Sequence, residues 1–185
     1  MELLKKEKFN RLVEGKEVEL YTLRNDKGCV AQFSNYGGRW LAMWVPDSHG
    51  NMGDVILGFD TLDGYLNATE QYYGAIVGRV CGRIGKGIFK LNNVPYQLAK
   101  NDGFGNLKKN HLHGGTHGFS FQVWDGKAGK CESGEDTLEF TYFSRDGEEG
   151  YPGNLQVKVT YTFTNENEIK IDYSESISAI KNCIC

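Results

Sequence analysis

Strict period-two alternation toward the C-terminal end is the feature that most restricts how this chain folds. In Leu155-Gln156-Val157-Lys158-Val159-Thr160-Tyr161-Thr162-Phe163, apolar residues take every second position and polar residues fill the gaps. Successive side chains of a strand point to opposite faces, so this segment reads as a strand with one buried and one wet face. The turn Thr164-Asn165-Glu166-Asn167 follows, and Ile169-Lys170-Ile171-Asp172-Tyr173 repeats the alternation. Upstream, Leu138-Glu139-Phe140-Thr141-Tyr142 does the same. Three such strands joined by short polar turns predict an antiparallel meander.

The first half is also strand-like. Glu17–Leu23 and Val30–Phe33 precede Trp40–Val45, with a Gly37-Gly38 break before the last. Phe89–Leu91 and Val94–Leu98 flank Asn92-Asn93, a hairpin signal. Helix is expected only in short pieces, such as Thr61–Tyr65. No internal repeat, low-complexity run or linker interrupts the chain, so residues 1–185 are expected to form a single all-β, antiparallel domain. Composition agrees: 24 Gly, 10 Phe, 10 Tyr and 3 Trp against 3 Pro suit tight turns and an aromatic surface on which sugars stack. Ser174–Cys185 departs from this order, with neither turn nor cap. It reads as a frayed tail or as a domain interrupted part-way, which would leave an open sheet edge.

Charge excludes one class of partner. The formal net charge is −3, from 21 basic and 24 acidic side chains, and no basic field exists to bind nucleic acid. Lys100, Lys108 and Lys109 form the densest basic cluster and read as a solvated loop. The opening MELLKKEKFN places lysines where an apolar segment would begin, so it predicts neither a signal peptide nor a membrane span. The 5 cysteines are odd in number and contain no CxxC, which suggests neither a zinc ribbon nor a disulfide framework. A reducing, cytoplasmic setting is expected.

Three of the 4 histidines lie together in Asn110-His111-Leu112-His113-Gly114-Gly115-Thr116-His117. On a strand, His111 and His113 would share a face and could share a metal. No histidine follows His117, however, and the next acidic residue after His113 is Asp125. A second reading is a polar loop whose imidazoles bond to backbone. A third is a ligand site, because Gly114-Gly115 lets backbone approach a ligand closely.

The third reading gains from a longer pattern. Gly78-Arg79-Val80-Cys81-Gly82-Arg83-Ile84 is similar to the GR-x-x-N-R-I motif of aldose 1-epimerases. Gly87-Ile88-Phe89-Lys90-Leu91, Tyr96-Gln97-Leu98, Leu112-His113-Gly114-Gly115, Gly118-Phe119 and Trp124 follow in that family's order. Asp146-Gly147-Glu148-Glu149-Gly150-Tyr151-Pro152-Gly153 resembles its DGEEGYPG turn, and the likeness covers roughly residues 10–173.

The resemblance implies a β-sandwich of the galactose-mutarotase type that interconverts α and β anomers of hexoses, with no metal or organic cofactor. Mutarotation needs an acid to protonate the ring oxygen and a base to take the anomeric proton, their pKa values well apart. Arg83 aligns with the family's sugar-binding arginine, whose fixed fork of donors suits hydroxyl and ring oxygens. His113 aligns with its first active-site histidine, a catalytic and substrate-binding residue. Gly82 stands where the family has asparagine, which removes an amide from the pocket. Arg79 and the three carboxylates of the DGEEGYPG segment read as structural. Tyr72, Tyr73, Phe104 and Trp124 are expected mainly in the core.

The family's second histidine (acid) and glutamate (base) come later in its chains, and no counterpart is matched here. The chain is therefore expected to be an N-terminal half with impaired activity. The alternative is a non-catalytic carbohydrate-binding protein. Half a sandwich would expose apolar faces, favouring self-association, although sequence does not give an oligomeric state.

Overall fold

The computed structural model describes residues 1–103 and 108–178. Strands β1 (Arg11–Val13) and β2 (Lys16–Val18) form a small hairpin. β3 (Leu20–Arg24), β4 (Val30–Ser34), β5 (Arg39–Pro46) and β6 (Met52–Asp54) form an antiparallel sheet in chain order. The α-helix α1 is one short element, Leu62–Leu66, capped by Thr61, whose hydroxyl accepts the Gly64 N–H. β7 (Arg83–Ile84) pairs with β10 (His111–Leu112), and β8 (Ile88–Leu91) pairs with β9 (Val94–Gln97). β11 (Asp125–Lys130), β12 (Asp136–Ser144), β13 (Asn154–Phe163) and β14 (Ile169–Ser178) make the second four-stranded sheet, again in chain order. The architecture is all-β and antiparallel, as the alternation predicts.

These elements fall into two compact units. The first comprises Met1–Ile76, Val123–Thr141 and Lys158–Ser174. Its core is where two sheets meet. The Phe33 ring of β4 lies 4.7 Å from Tyr161 of β13, and Tyr21 of β3 meets Phe140 of β12 edge-on at 5.7 Å. The Tyr161 hydroxyl donates to the Gly38 carbonyl at 3.1 Å, satisfying a polar tip that burial would otherwise penalise. Burial raises the pKa of Tyr161, so it stays a neutral donor. Trp124 is enclosed here as well: Asn35 brackets it, its amide donating to the Trp124 carbonyl. Arg39 is wholly buried, donating to the carbonyls of Tyr73 and Gln71 beneath the Tyr36 and Tyr65 rings.

Two expectations need correction in this unit. Glu17–Leu23 is not one strand: it breaks at Glu19, whose N–H is taken by the Asn35 side chain at 2.8 Å. The halves then pair with different partners, β2 with β1 and β3 with β4. Nor does Ile169–Tyr173 have a buried face. Ile171 is 40% and Tyr173 64% exposed, because among the described residues little packs on that face. The strand also runs to Ser178, beyond the point where a tail was expected.

The second unit comprises Val77–Gln122 and Tyr142–Val157, with 175–178 of β14. The Asn92-Asn93 turn forms as expected, both residues in the left-handed region at φ 49° and 64°. Arg79 is the tie of this unit. It is buried, and its guanidinium donates to the Ser144 hydroxyl and to the carbonyls of Ser144, Arg145, Pro152 and Gly153. That is the structural role read from sequence, and it fixes both ends of the Asp146–Gly153 turn. A lysine offers three donors from a point charge and cannot span these acceptors. Arg79→Lys is expected to lower unfolding stability by about 3 kcal/mol or more, measured by urea denaturation.

Candidate functional site

The site grows from the two-residue ladder between β7 and β10, in which Arg83 faces Leu112 and Ile84 faces His111. So short a ladder has little stability of its own. Side chains supply the rest. Asn101 clamps Leu112 from both sides, accepting its N–H at 2.7 Å and donating to its carbonyl at 2.9 Å. The Asn110 side-chain oxygen accepts the Lys86 N–H at 3.1 Å, tying the start of β10 to the segment after β7.

His113 sits one residue beyond β10, and the chain leaves the strand there with φ 51°. Two hydrogen bonds hold it against Gly82. The His113 N–H donates to the Gly82 carbonyl at 3.0 Å, and the Gly82 N–H donates to His113 Nδ1 at 3.2 Å. Because a backbone N–H can only donate, Nδ1 carries the lone pair and the neutral ring bears its proton on Nε2. Nε2 is therefore the ring's donor nitrogen. The Cys81 thiol lies 3.9 Å from Nδ1.

Gly114 and Gly115 are required by close approach. A Cβ on Gly114 (φ 81°) would stand 1.7 Å from the Gly78 carbonyl oxygen, and one on Gly115 (φ 117°) 2.0 Å from a Glu149 carboxylate oxygen. Glu149 itself accepts the N–H groups of Thr116 at 3.0 Å and His117 at 2.8 Å, pinning the turn that follows His113. Glu148 accepts from the Tyr142 and Ser144 hydroxyls. The DGEEGYPG carboxylates are structural, as expected, but they act as acceptors rather than as solvated charges.

Arg83 is the exposed partner, its side chain 63% open to solvent. Its Nε donates to Asp102 Oδ2 at 3.3 Å, so the terminal nitrogens remain for a ligand. Asp102 is in turn held by donors: the Asn110 N–H and side-chain amide, and the Lys109 N–H. These bonds, the Asn110 backbone first, keep its carboxyl at about 2. Sequence reasoning missed Asp102, Asn101 and the reach of Glu149. The pairing of an Asx residue with backbone a few positions on is a general turn habit that could have flagged the first two.

The histidines do not form the shared face of a strand. His111 is buried, and its Nδ1–H donates to the Ala99 carbonyl at 2.8 Å. His117 is exposed beside Phe121. Among the described residues no three His, Cys, Asp or Glu side chains gather as a metal site would require. Of the aromatic candidates, Trp124 is core and Tyr73 packs on Phe59 in the first unit. Tyr72, in the same unit, is half-buried, its hydroxyl pKa raised by burial. Phe104 lies outside the described residues. Gly82 has φ 81° and open space where a Cβ would stand. Asparagine tolerates that backbone region better than most residues, so the backbone suits either residue.

Asp102 has its pKa lowered, so its ionised form stabilises the fold above about pH 4 and loses that effect as pH falls through about 2. The stability gap between the parent chain and Asp102→Asn is expected to stay constant from pH 7 to about pH 4 and to close near pH 2. Urea midpoints at these pH values read it directly.

Comparison with known proteins adds an independent line. The family profile for aldose 1-epimerase matches residues 19–184. Galactose mutarotase from Bos taurus is 42% identical over 161 residues, covering 87% of this chain and 43% of that protein. Aldose 1-epimerase from Haemophilus influenzae is 38% identical over 161 residues, covering 87% and 44%. Among solved structures, galactose 1-epimerase from Lactobacillus acidophilus superimposes with TM-score 0.77 at 30% identity, over 91% of this chain and 47% of that one. The chain thus spans somewhat under half the length of the relatives it matches.

Proposed function

This chain belongs to the aldose 1-epimerase family, and on that premise we propose that Arg83 and His113 bind a hexose for interconversion of its α and β anomers. The observation that carries the reading is the two-bond lock between Gly82 and His113 on the rung beside Arg83. It makes His113 Nε2 a donor nitrogen, and the exposed Arg83 carries donors only, so we read the two as one donor-rich surface. Sugar hydroxyl and ring oxygens are acceptors that such a surface recognises. A donor placed on the ring oxygen favours C1–O5 opening by stabilising the charge that builds there. The names of the relatives, galactose mutarotase and galactose 1-epimerase, support galactose as the first sugar to try. No metal or organic cofactor enters the proposed step.

A second reading, carbohydrate binding without turnover, is favoured by the same tautomer. With Nδ1 occupied by the Gly82 N–H, His113 is a donor and cannot also serve as the base at that nitrogen. No helix among the described residues is long and apolar enough to cross a membrane. The free thiols of Cys29, Cys81 and Cys131 support a reducing, cytoplasmic setting.

Calorimetry with galactose tests binding, and polarimetry on freshly dissolved α-D-galactose tests turnover. Binding is expected in the millimolar range and to weaken about tenfold in His113→Ala. Absence of binding would overturn the saccharide site. Acceleration that His113→Ala abolishes supports the enzyme, whereas binding without acceleration supports the second reading. Gly82→Asn, which restores an amide in open space, is expected to tighten galactose binding several-fold.

A further inference from the structure

Asn101 and Asp102 together hold the rung that carries Arg83. Asn101 clamps the backbone of Leu112, the residue opposite Arg83, and Asp102 takes the Arg83 side chain. The two members of that ion pair are unequal. The Asp102 side chain is only 10% exposed and is fixed by other donors. Its Oδ1 accepts the N–H groups of Lys109, at 2.9 Å, and of Asn110, and its Oδ2 accepts the Asn110 side-chain amide at 2.6 Å. The Arg83 side chain is mostly exposed, and an ion pair so open to water adds little stability. A fixed carboxylate beside a long, rotatable side chain acts instead by restricting where that side chain points.

Which nitrogen is engaged sets what the guanidinium can still read. A guanidinium meets a pair of oxygens either side-on, through Nε and one Nη, or end-on, through Nη1 and Nη2. Asp102 accepts from Nε at 3.3 Å, so the side-on mode is taken and the end-on fork lies outside the bond. Arg11 shows the opposite arrangement: it meets Asp63 through Nη2, which breaks its end-on fork. The two N–H groups of an end-on fork run parallel and suit two acceptors side by side. On a pyranose, neighbouring gauche hydroxyls are such a pair. We infer that Asp102 is a positioning residue, committing Arg83 to a vicinal diol of the hexose rather than to a lone oxygen. The inference rests on the hexose reading above and adds which part of the sugar Arg83 recognises.

Galactose and its monodeoxy analogues, titrated by NMR against the parent chain and its variants, test this. Arg83→Lys keeps the charge without the fork, and Asp102→Asn replaces one acceptor oxygen with an amide that can only donate; each is expected to weaken galactose binding about fivefold or more. In the parent, removing either of two neighbouring hydroxyls is expected to cost about tenfold, and in Arg83→Lys the same removals less than about twofold. Adding Asp102→Asn to Arg83→Ala is expected to change affinity by less than about twofold, whereas a merely structural aspartate would weaken both backgrounds alike. The Arg83 Nε–H resonance, protected from exchange in the parent, is expected to lose that protection in Asp102→Asn. Arg83→Lys and the deoxy series leave residue 102 untouched, so they decide the matter even where Asp102→Asn fails to fold. A parent chain that binds no galactose overturns the hexose reading and this inference with it. Parental affinity in Arg83→Lys, an Arg83-dependent loss at a single hydroxyl, or an Asp102→Asn effect that is equal with and without Arg83 overturns the inference alone.

Discussion

The candidate site rests on one local constraint, the exchange of hydrogen bonds between Gly82 and His113 at the end of a two-rung ladder. It sets the position of an imidazole and chooses its tautomer, one residue along the chain from the Arg83 rung. None of this would survive on the ladder alone, since two paired residues gain little against the entropy of ordering them. Neighbouring polar side chains make up the difference. Asn101 and Asn110 hold the β10 side, Asp102 holds Arg83, and Glu149 holds the turn beyond His113. Arg79 fixes the segment that carries Glu149. The glycines at 114 and 115 permit the close backbone contacts that this arrangement needs.

Much of this was legible in the residues, for physical reasons. Alternation reports burial on one side of a strand, and β12 and β13 obey it because Tyr21 and Phe33 of the facing sheet pack on Phe140 and Tyr161. Asn92-Asn93 reports a left-handed turn because asparagine tolerates that backbone. Other features depend on contacts far away in sequence. The break at Glu19 is made by Asn35, 16 residues on, and no pattern within Glu17–Leu23 announces it. Ile169, Ile171 and Tyr173 show the pattern of a half-buried strand, yet Ile171 and Tyr173 are exposed among the described residues. Spacing marks the face that could be buried and cannot report what packs on it.

The histidine cluster shows the same limit at the site itself. His111-Leu112-His113 reads as two imidazoles on one face only while the chain stays extended. The left-handed backbone at His113 ends the strand between them, sending one ring into a buried contact with Ala99 and the other to Gly82. The family pattern picked out His113 and Arg83, and the proposed sugar role draws on the donor character that their internal bonds give them. Asp102 takes one nitrogen of Arg83 and Gly82 takes the acceptor of His113.

The central claim is that these two side chains grip one sugar together. A double-mutant cycle on galactose affinity, using Arg83→Ala, His113→Ala and the combined variant, tests that most directly. The account predicts losses that fail to add, with a coupling energy on the order of 1 kcal/mol. Strictly additive losses, each side chain contributing as though the other were absent, would contradict it.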